Sequence, residues 1–442
     1  MTLSFAYLLV CLIGGIVFIV LLTTRYKVPA FFALLLSALL VGLSTHQPLG
    51  AVIGTLKDGF GNILKSLGLI IVLGTTLGIV LEYTGSTAVM AGFILKRTGE
   101  KRASWAMSIT GFIVGLPIFC DSGYIVLSGL NKNLARRSGV PIPIMSVSLA
   151  TGLLAVHCMA PPHPGITAAA ATIGVDVGKL IAYGSIIAIP AMIVGNIWAR
   201  YAGRKFKGEK SEEEPLTYVA PNPPAVFKAF LPIIVPLLLI ALKSFFSVET
   251  IAGLKWLSPV LSIGDPVIAL MIGVLLALNC KRNWTKDDIG KLLQDSIEKA
   301  GSILIIIGAG GAFGAILAAT KIGDHFSGMP ELRYLGIFFP FLLTAVLKTA
   351  QGSSTVAIIT ASSIVLPLLG NLGLDSENGK LLCVLAMGAG SMVISHTNDA
   401  YFWVIAKFSG LGIKTMFSVY TLATLFMGLT SIIMVCILSK II

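Results

Sequence analysis

The hydrophobic and polar positions of this chain follow the spacing of a membrane protein. About fourteen apolar segments, most of them about 17 to 25 residues long, are separated by shorter polar stretches. A helix needs roughly 20 apolar residues to cross the hydrocarbon core of a bilayer. The pattern predicts an all-α polytopic membrane protein with about 10 transmembrane helices and two re-entrant hairpins. Residues 67–82 and 302–319 are among the predicted spans, and 286–299 is predicted to be a separate amphipathic stretch.

Two of the apolar segments are predicted to form these re-entrant hairpins. Residues 103–137 are interrupted at 117–123 and carry basic residues at both ends, and residues 334–369 are interrupted at 348–354. In the first hairpin the arms of roughly 13 to 16 residues are short for a span. Because basic residues favour the cytoplasm, both ends of that hairpin are expected on the cytoplasmic side.

Two other segments, 141–174 and 380–407, are predicted to be helices broken near the bilayer midplane. The first contains three prolines between residues 160 and 165, and the second contains the polar run 395–399. Breaks of this kind free backbone groups that a ligand, an ion or water can satisfy. Interruptions at corresponding places in the two halves of a transporter indicate its binding site.

The same order of elements occurs twice along the chain. Residues 1–200 form the first predicted repeat, 201–225 a charged cytoplasmic linker, and 226–442 the second repeat. Five crossings per repeat would invert the second relative to the first. With the N-terminus outside, about two thirds of the 32 Lys and Arg residues, Lys299 among them, fall in cytoplasmic loops and adjoining helix ends. Both termini are therefore expected to be periplasmic.

Composition excludes a soluble protein. Hydrophobic residues make up 56% of the 442 residues, charged residues only 12%, and the mean hydropathy is +0.92, whereas a soluble domain is about one quarter charged. The net charge of +12 is attributed to cytoplasmic loops, so no nucleic acid partner is predicted. The six cysteines lack metal-ligand spacing, and no metal or cofactor is expected.

The interruptions supply the groups of a predicted central pocket. If the hairpin tips and helix breaks meet, four half-helix N-termini converge, and each favours an anionic group by about 0.3–1 kcal/mol. Neighbouring hydroxyl and amide groups suit a small hydroxylated carboxylate. The predicted substrate-binding residues are Ser122, Gly123, Pro162, His163, Gln351, Gly352, Ser353, Ser354, Thr355, Thr397 and Asn398.

Ionisable residues at membrane depth cost about 2.5–3.5 kcal/mol each even on lenient scales, so they are functional candidates. Asp121 is the first candidate for proton coupling and Asp399 the second, while His157 and His396 suit a proton relay. Lys348 either neutralises an aspartate or contacts the carboxylate of the substrate. Both roles remain open at this stage.

Four segments resemble those of the gluconate permease family. Residues 160–165, APPHPG, are similar to its PPHPG signature, and residues 351–357 resemble its GSATVA segment, with Ser354 where alanine is usual. Residues 308–314 and 396–399 also resemble family segments, in the expected order. The resemblance covers essentially the whole chain. It implies a proton symporter of the ion transporter superfamily that imports sugar acids such as gluconate across the bacterial inner membrane and forms a homodimer.

The residues alone also allow functions other than a proton-coupled sugar-acid importer. A sodium-coupled carboxylate carrier is the nearest one, since carbonyl and hydroxyl groups at broken helices can bind Na⁺. The family resemblance also allows a transporter specific for glycerate or D-serine. A hydrolase is disfavoured because the chain contains neither an HExxH nor a GxSxG element. A passive channel is disfavoured because fixed charges at the hairpin tips and broken helices fit an occluded binding site better than an open pore.

Overall fold

The computed structural model describes residues 5–99, 102–206, 223–245, 262–320, 331–396 and 399–442, and every regular element of these residues is helical. The helices are α1 Phe5–Thr24, α2 Ala30–Ser44, α3 Leu49–Tyr83, α4 Ser86–Thr98, α5 Ala103–Gly115, α6 Cys120–Ser138, α7 Ile142–Met159, α8 Pro164–Ile173, α9 Val177–Gly203, α10 Val226–Phe245, α11 Pro266–Leu278, α12 Lys286–Ala319, α13 Glu331–Leu335, α14 Phe338–Gln351, α15 Ser354–Val365, α16 Glu377–Met392, α17 Ala400–Ser409 and α18 Ile413–Leu438.

Several of these helices are long and apolar enough to cross a membrane. Among the described residues, four helical stretches qualify by length and composition: 142–173, which comprises α7 and α8, 177–206, 286–319 and 413–438. Helix α3 makes a fifth if its two halves, bent by 49°, count as one span. Seven further apolar helices have 10–17 residues. The architecture is that of a polytopic membrane protein, in agreement with the predicted fold class at this level.

All four predicted interruptions are breaks between helices. Residues 116–119 separate α5 from α6, and Gly352 and Ser353 separate α14 from α15. Residues 160–163 separate α7 from α8, and 393–399 lie between α16 and α17. Prolines cause the break between α7 and α8. Side-chain caps fix the starts of α15 and α17.

Two helices differ from the sequence-based boundaries. The predicted span 67–82 is only the second half of the 35-residue α3. The predicted amphipathic stretch 286–299 and the span 302–319 form one 34-residue helix, α12, because nothing in 300–301 breaks the backbone and a capping box starts the helix at Thr285.

Close helix contacts bring the breaks together. A Cβ atom on Gly388 of α16 would lie 2.6 Å from the carbonyl oxygen of Cys158 in α7, so the two broken helices touch backbone to backbone. A Cβ atom on Gly165 of α8 would lie 2.9 Å from the Cα atom of Thr355 in α15. Small residues at such crossings allow close packing of membrane helices, and here they join the two halves of the chain.

Candidate functional site

A cavity of about 430 Å³ lies where α6, α8, α15 and α17 begin. Its volume falls in the range of about 300–1,000 Å³ that is common for small-molecule sites. Neither Phe119 before α6 nor His163 before α8 caps its helix with a side chain, so first-turn N–H groups remain for other partners. The polar side chains that line the cavity belong to Asp121, Ser122, His157, Lys299, Ser302, Gln351, Ser353, Ser354, Thr355, Asp399 and Tyr401.

Lys348 and Asp399 form a buried ion pair beside this cavity. The Lys348 ammonium, which is fully buried, donates to Asp399 Oδ2 and to the carbonyl oxygen of Gly352, both at 2.6 Å. The same carboxylate accepts from the hydroxyl of Ser395 and, through Oδ1, from the backbone N–H of Tyr401 at 2.9 Å. Of the two roles open for Lys348, the geometry supports neutralisation of an aspartate.

Asp121 is held differently from Asp399. It lies in the first turn of α6 on the cavity wall and is half-buried. The thiol of Cys120 donates a weak hydrogen bond to its Oδ1 at 3.9 Å, and the carboxylate takes part in none of the ion pairs found among the described residues. Asp121 therefore lines the cavity without a cation in direct contact, unlike Asp399.

Two histidines are coupled next to the cavity. His163 Nε2 lies 2.7 Å from the carbonyl oxygen of Gly115, and His163 Nδ1 lies 3.2 Å from His157 Nδ1. A carbonyl only accepts, so His163 Nε2 carries the hydrogen and, with both rings neutral, His157 Nδ1 donates to His163. This leaves Nε2 of His157 as an unprotonated acceptor on a ring that lines the cavity.

The tip between α14 and α15 presents polar groups of two kinds. Both amide atoms of Gln351 are buried on the cavity wall without a hydrogen-bond partner among the described residues. Ser353 caps α15, its Oγ accepting from Val356 N at 3.3 Å, and the hydroxyl hydrogen stays available. Ser354, by contrast, donates to the carbonyl oxygen of Ser391 at 3.0 Å. Gln351 and Ser353 are the groups best prepared to meet a hydroxylated ligand.

Lys299 is a cavity residue that the sequence analysis missed. It was assigned to cytoplasmic loops and helix ends, but it lies well inside α12 and its ammonium donates to Ser122 Oγ at 2.6 Å. The spacing of Lys299, Ser302, Ile303 and Ile306, which all line the cavity, is that of one face of a helix. A helical period continued through residues 300–301 would have revealed it.

Comparison with known proteins agrees with this architecture. The family described as GntP family permease matches residues 7–442. The chain belongs to this family. A gluconate permease of Pseudomonas aeruginosa is 34% identical over 98% of both chains, and a high-affinity gluconate transporter of Escherichia coli is 35% identical over 90% of this chain and 92% of its own. The Gnt-II system L-idonate transporter of Escherichia coli is 30% identical over 93% and 94%.

The family assignment makes this chain a permease rather than an enzyme, and a multi-pass membrane protein. Two solved transporters share the fold. MtrF of Neisseria gonorrhoeae has a TM-score of 0.61 at 16% identity, covering 88% of this chain and 84% of its own. YdaH of Alcanivorax borkumensis has a TM-score of 0.60 at 15% identity, covering 89% of each.

Several predicted site residues of this GntP permease lie behind the cavity wall. A Cβ atom on Gly123 would be 2.8 Å from Leu153, so the glycine serves packing. Pro162 lines a separate apolar void of about 30 Å³. His163 lies against His157 and the carbonyl oxygen of Gly115, and His396 donates from Nε2 to the carbonyl oxygen of Thr349 at 2.9 Å. Thr397 and Asn398 lie outside the described residues.

Proposed function

We propose that this permease imports a small hydroxylated carboxylate, gluconate or a related sugar acid, by proton symport across the bacterial inner membrane. The observation that carries the proposal is the single cavity at which four helices begin, with amide and hydroxyl groups on its wall. The names of the relatives add the substrate class: gluconate and L-idonate are polyhydroxylated acids with one carboxylate.

The chemistry of the cavity supports such a substrate. Helix N-termini stabilise negative charge, and the uncapped starts of α6 and α8 are available for it. Gln351 both donates and accepts hydrogen bonds, as does Ser353, so each can satisfy a sugar hydroxyl. A ligand without hydroxyl groups would leave the buried amide of Gln351 unpaired, which disfavours simple aliphatic acids.

Asp121 is the proposed proton carrier. A coupling carboxylate has to change its charge during the cycle. Asp121 is in no ion pair within the described ranges, whereas Asp399 is bound by Lys348, Ser395 and the N–H of Tyr401. Protonation of Asp121 removes a negative charge from the cavity that would repel an incoming carboxylate. Proton and substrate binding are then linked, as symport requires. His157, through its free Nε2, is the proposed relay.

The proposed membrane arrangement follows the repeat. Residues 1–200 and 226–442 form two inverted repeats joined by the cytoplasmic linker 201–225, with periplasmic termini, and two copies of the chain form a homodimer. The pairs α5–α6 and α14–α15 are the proposed re-entrant hairpins, 103–137 and 334–369. Their short helices support this, since α5 has 13 residues and α15 has 12, too few to cross a bilayer alone.

Transport into proteoliposomes tests the function. Purified protein should accumulate labelled gluconate when an inward proton gradient is imposed, and a protonophore should abolish the accumulation. Unlabelled L-idonate should compete, whereas glycerate and D-serine should compete poorly. Accumulation that follows an imposed sodium gradient at constant pH would replace proton by sodium coupling, and an absence of gluconate uptake and of competition would refute the substrate class.

Cysteine labelling tests the topology. Arg102 and Arg137 are exposed residues near the two ends of the α5–α6 pair, and each is replaced by cysteine in a variant without native cysteines. A membrane-impermeant maleimide should label both from the cytoplasmic side only. Labelling of the two positions from opposite sides would show that α5 and α6 together cross the membrane once, as one broken span, and would contradict both the re-entrant hairpin and the inverted repeat.

A further inference from the structure

Lys299 is a cation on the cavity wall that forms no ion pair with a carboxylate in the part of the chain that the structure describes. Ion pairs among the described residues engage Lys179, Lys243, Lys281 and Lys348, and Lys299 is in none of them. Its ammonium donates to the neutral hydroxyl of Ser122 at 2.6 Å. Since an ammonium has three hydrogens to donate, Lys299 retains donor capacity at the cavity.

A half-buried ammonium in a membrane helix needs a compensating anion, because its desolvation is costly. Lys348 obtains that anion from Asp399. Lys299 also lines a second, separate pocket of about 300 Å³, together with Glu82, Asp295 and Glu298. None of these three carboxylates forms an ion pair with Lys299 among the described residues. These three carboxylates repel an anion, whereas the cavity at Ser122 has Asp121, whose protonation in the proposed cycle removes the repulsion. A substrate carboxylate is therefore favoured on the Ser122 side.

We propose that Lys299, positioned by Ser122, binds the carboxylate of the substrate and thereby determines the preference for acids over neutral polyols. The inference rests on the proposed function. It deepens that function by fixing the orientation of the ligand in the cavity. The carboxylate lies between α12 and the uncapped start of α6, and the hydroxylated chain extends towards Gln351 and Ser353 at the tip between α14 and α15.

The orientation is consistent with the available donors on both sides. Charge-assisted hydrogen bonds are about twice as strong as neutral ones. Lys299 can donate such a bond to a carboxylate because it lines the cavity, whereas the ammonium of Lys348 is already bound to Asp399. The first-turn N–H groups of α6 add to the attraction. At the tip between α14 and α15 the neutral amide of Gln351 suits hydroxyl groups and offers no charge to a carboxylate.

The test compares gluconate with gluconamide, its neutral counterpart of the same chain length. Binding to purified full-length protein is measured by isothermal titration calorimetry. Wild-type protein should prefer gluconate, and Lys299→Gln should reduce that preference about 10- to 100-fold, as expected for loss of a hydrogen bond between charged groups. Lys299→Arg should restore part of it. Lys291→Gln, an exposed position of the same helix, is the matched control and should leave the preference unchanged.

The outcomes separate this inference from the proposed function. If wild-type protein prefers gluconate and Lys299→Gln keeps the same preference, Lys299 is not the carboxylate partner and only this inference falls. If wild-type protein binds neither ligand, the proposed substrate class is wrong and the inference falls with it.

A second measurement does not depend on the folding of a variant. Lysine acetylation of wild-type protein is followed by mass spectrometry of the peptide that contains Lys299. Gluconate should slow the modification of Lys299, and gluconamide at the same degree of saturation should slow it less. Equal protection by the two ligands would overturn the proposal.

Discussion

The ion pair between Lys348 and Asp399 should be essential for the stability of the centre. It joins the end of α14 to the start of α17, and the Lys348 side chain is fully buried while that of Asp399 is 10% exposed. Replacement of Lys348 by Met keeps most of the side-chain volume but removes the ammonium. Asp399 then retains only Ser395 and the N–H of Tyr401 as donors, and the carbonyl oxygen of Gly352 loses its bond from Lys348.

The expected loss is large because an unpaired charge stays buried. Removal of one partner of a buried ion pair costs about 3–5 kcal/mol, whereas replacement of both partners by neutral groups can be nearly neutral. Lys348→Met and Asp399→Asn should each lower the free energy of unfolding by about this amount. The double variant should lose clearly less than the sum of the two, with a coupling of about 0.5–3 kcal/mol or more.

Unfolding by SDS in mixed micelles, followed by tryptophan fluorescence, measures these free energies. The matched control is the ion pair between Lys179 and Glu377, whose side chains are 41% and 88% exposed. Such a surface pair is worth about 0–1 kcal/mol, so Lys179→Met should change little. If the loss of unfolding free energy in the double variant equals the sum of the losses in the two single variants, Lys348 and Asp399 do not interact and the assigned pair is refuted.

Three further predictions concern individual cavity and packing residues. Asp121→Asn should abolish proton-driven accumulation and flatten its pH dependence while exchange of internal for external substrate persists; wild-type pH dependence in proteoliposomes would exclude Asp121 as the carrier. Gln351→Leu should raise the melting temperature of the empty protein, because it removes an unpaired buried amide, and should weaken gluconate binding by about 0.5–1.5 kcal/mol per lost hydrogen bond; unchanged affinity in calorimetry would remove Gln351 from the site. Gly165→Ala should destabilise the protein by about 1–3 kcal/mol, since the new methyl group would lie 2.9 Å from the Cα atom of Thr355; Gly50→Ala, whose methyl group would meet nothing within 4 Å, is the control, and equal melting temperatures of the two variants would contradict the close contact.

The sequence alone determined where the helices break, because the causes are local. Prolines at 161, 162 and 164 cannot continue a helix, and Ser353 and Asp399 accept from N–H groups in the first turns that follow them. The predicted segments 103–137, 141–174, 334–369 and 380–407 accordingly coincide with helix pairs of the structure. The length of the apolar segments likewise identified a membrane protein, because that length depends only on the composition of each segment.

Contacts between distant segments were decided by the tertiary structure. Lys348 could have met an aspartate or a substrate, and only the packing of α14 against the broken helix showed that Asp399, 51 residues away, is its partner. Lys299 was assigned to cytoplasmic loops and adjoining helix ends because 286–299 and 302–319 were predicted to be separate segments. Its contact with Ser122, 177 residues away in sequence, depends on how α12 packs beside α6. Such distances are set by helix packing across the whole chain, and no local pattern of residues specifies them.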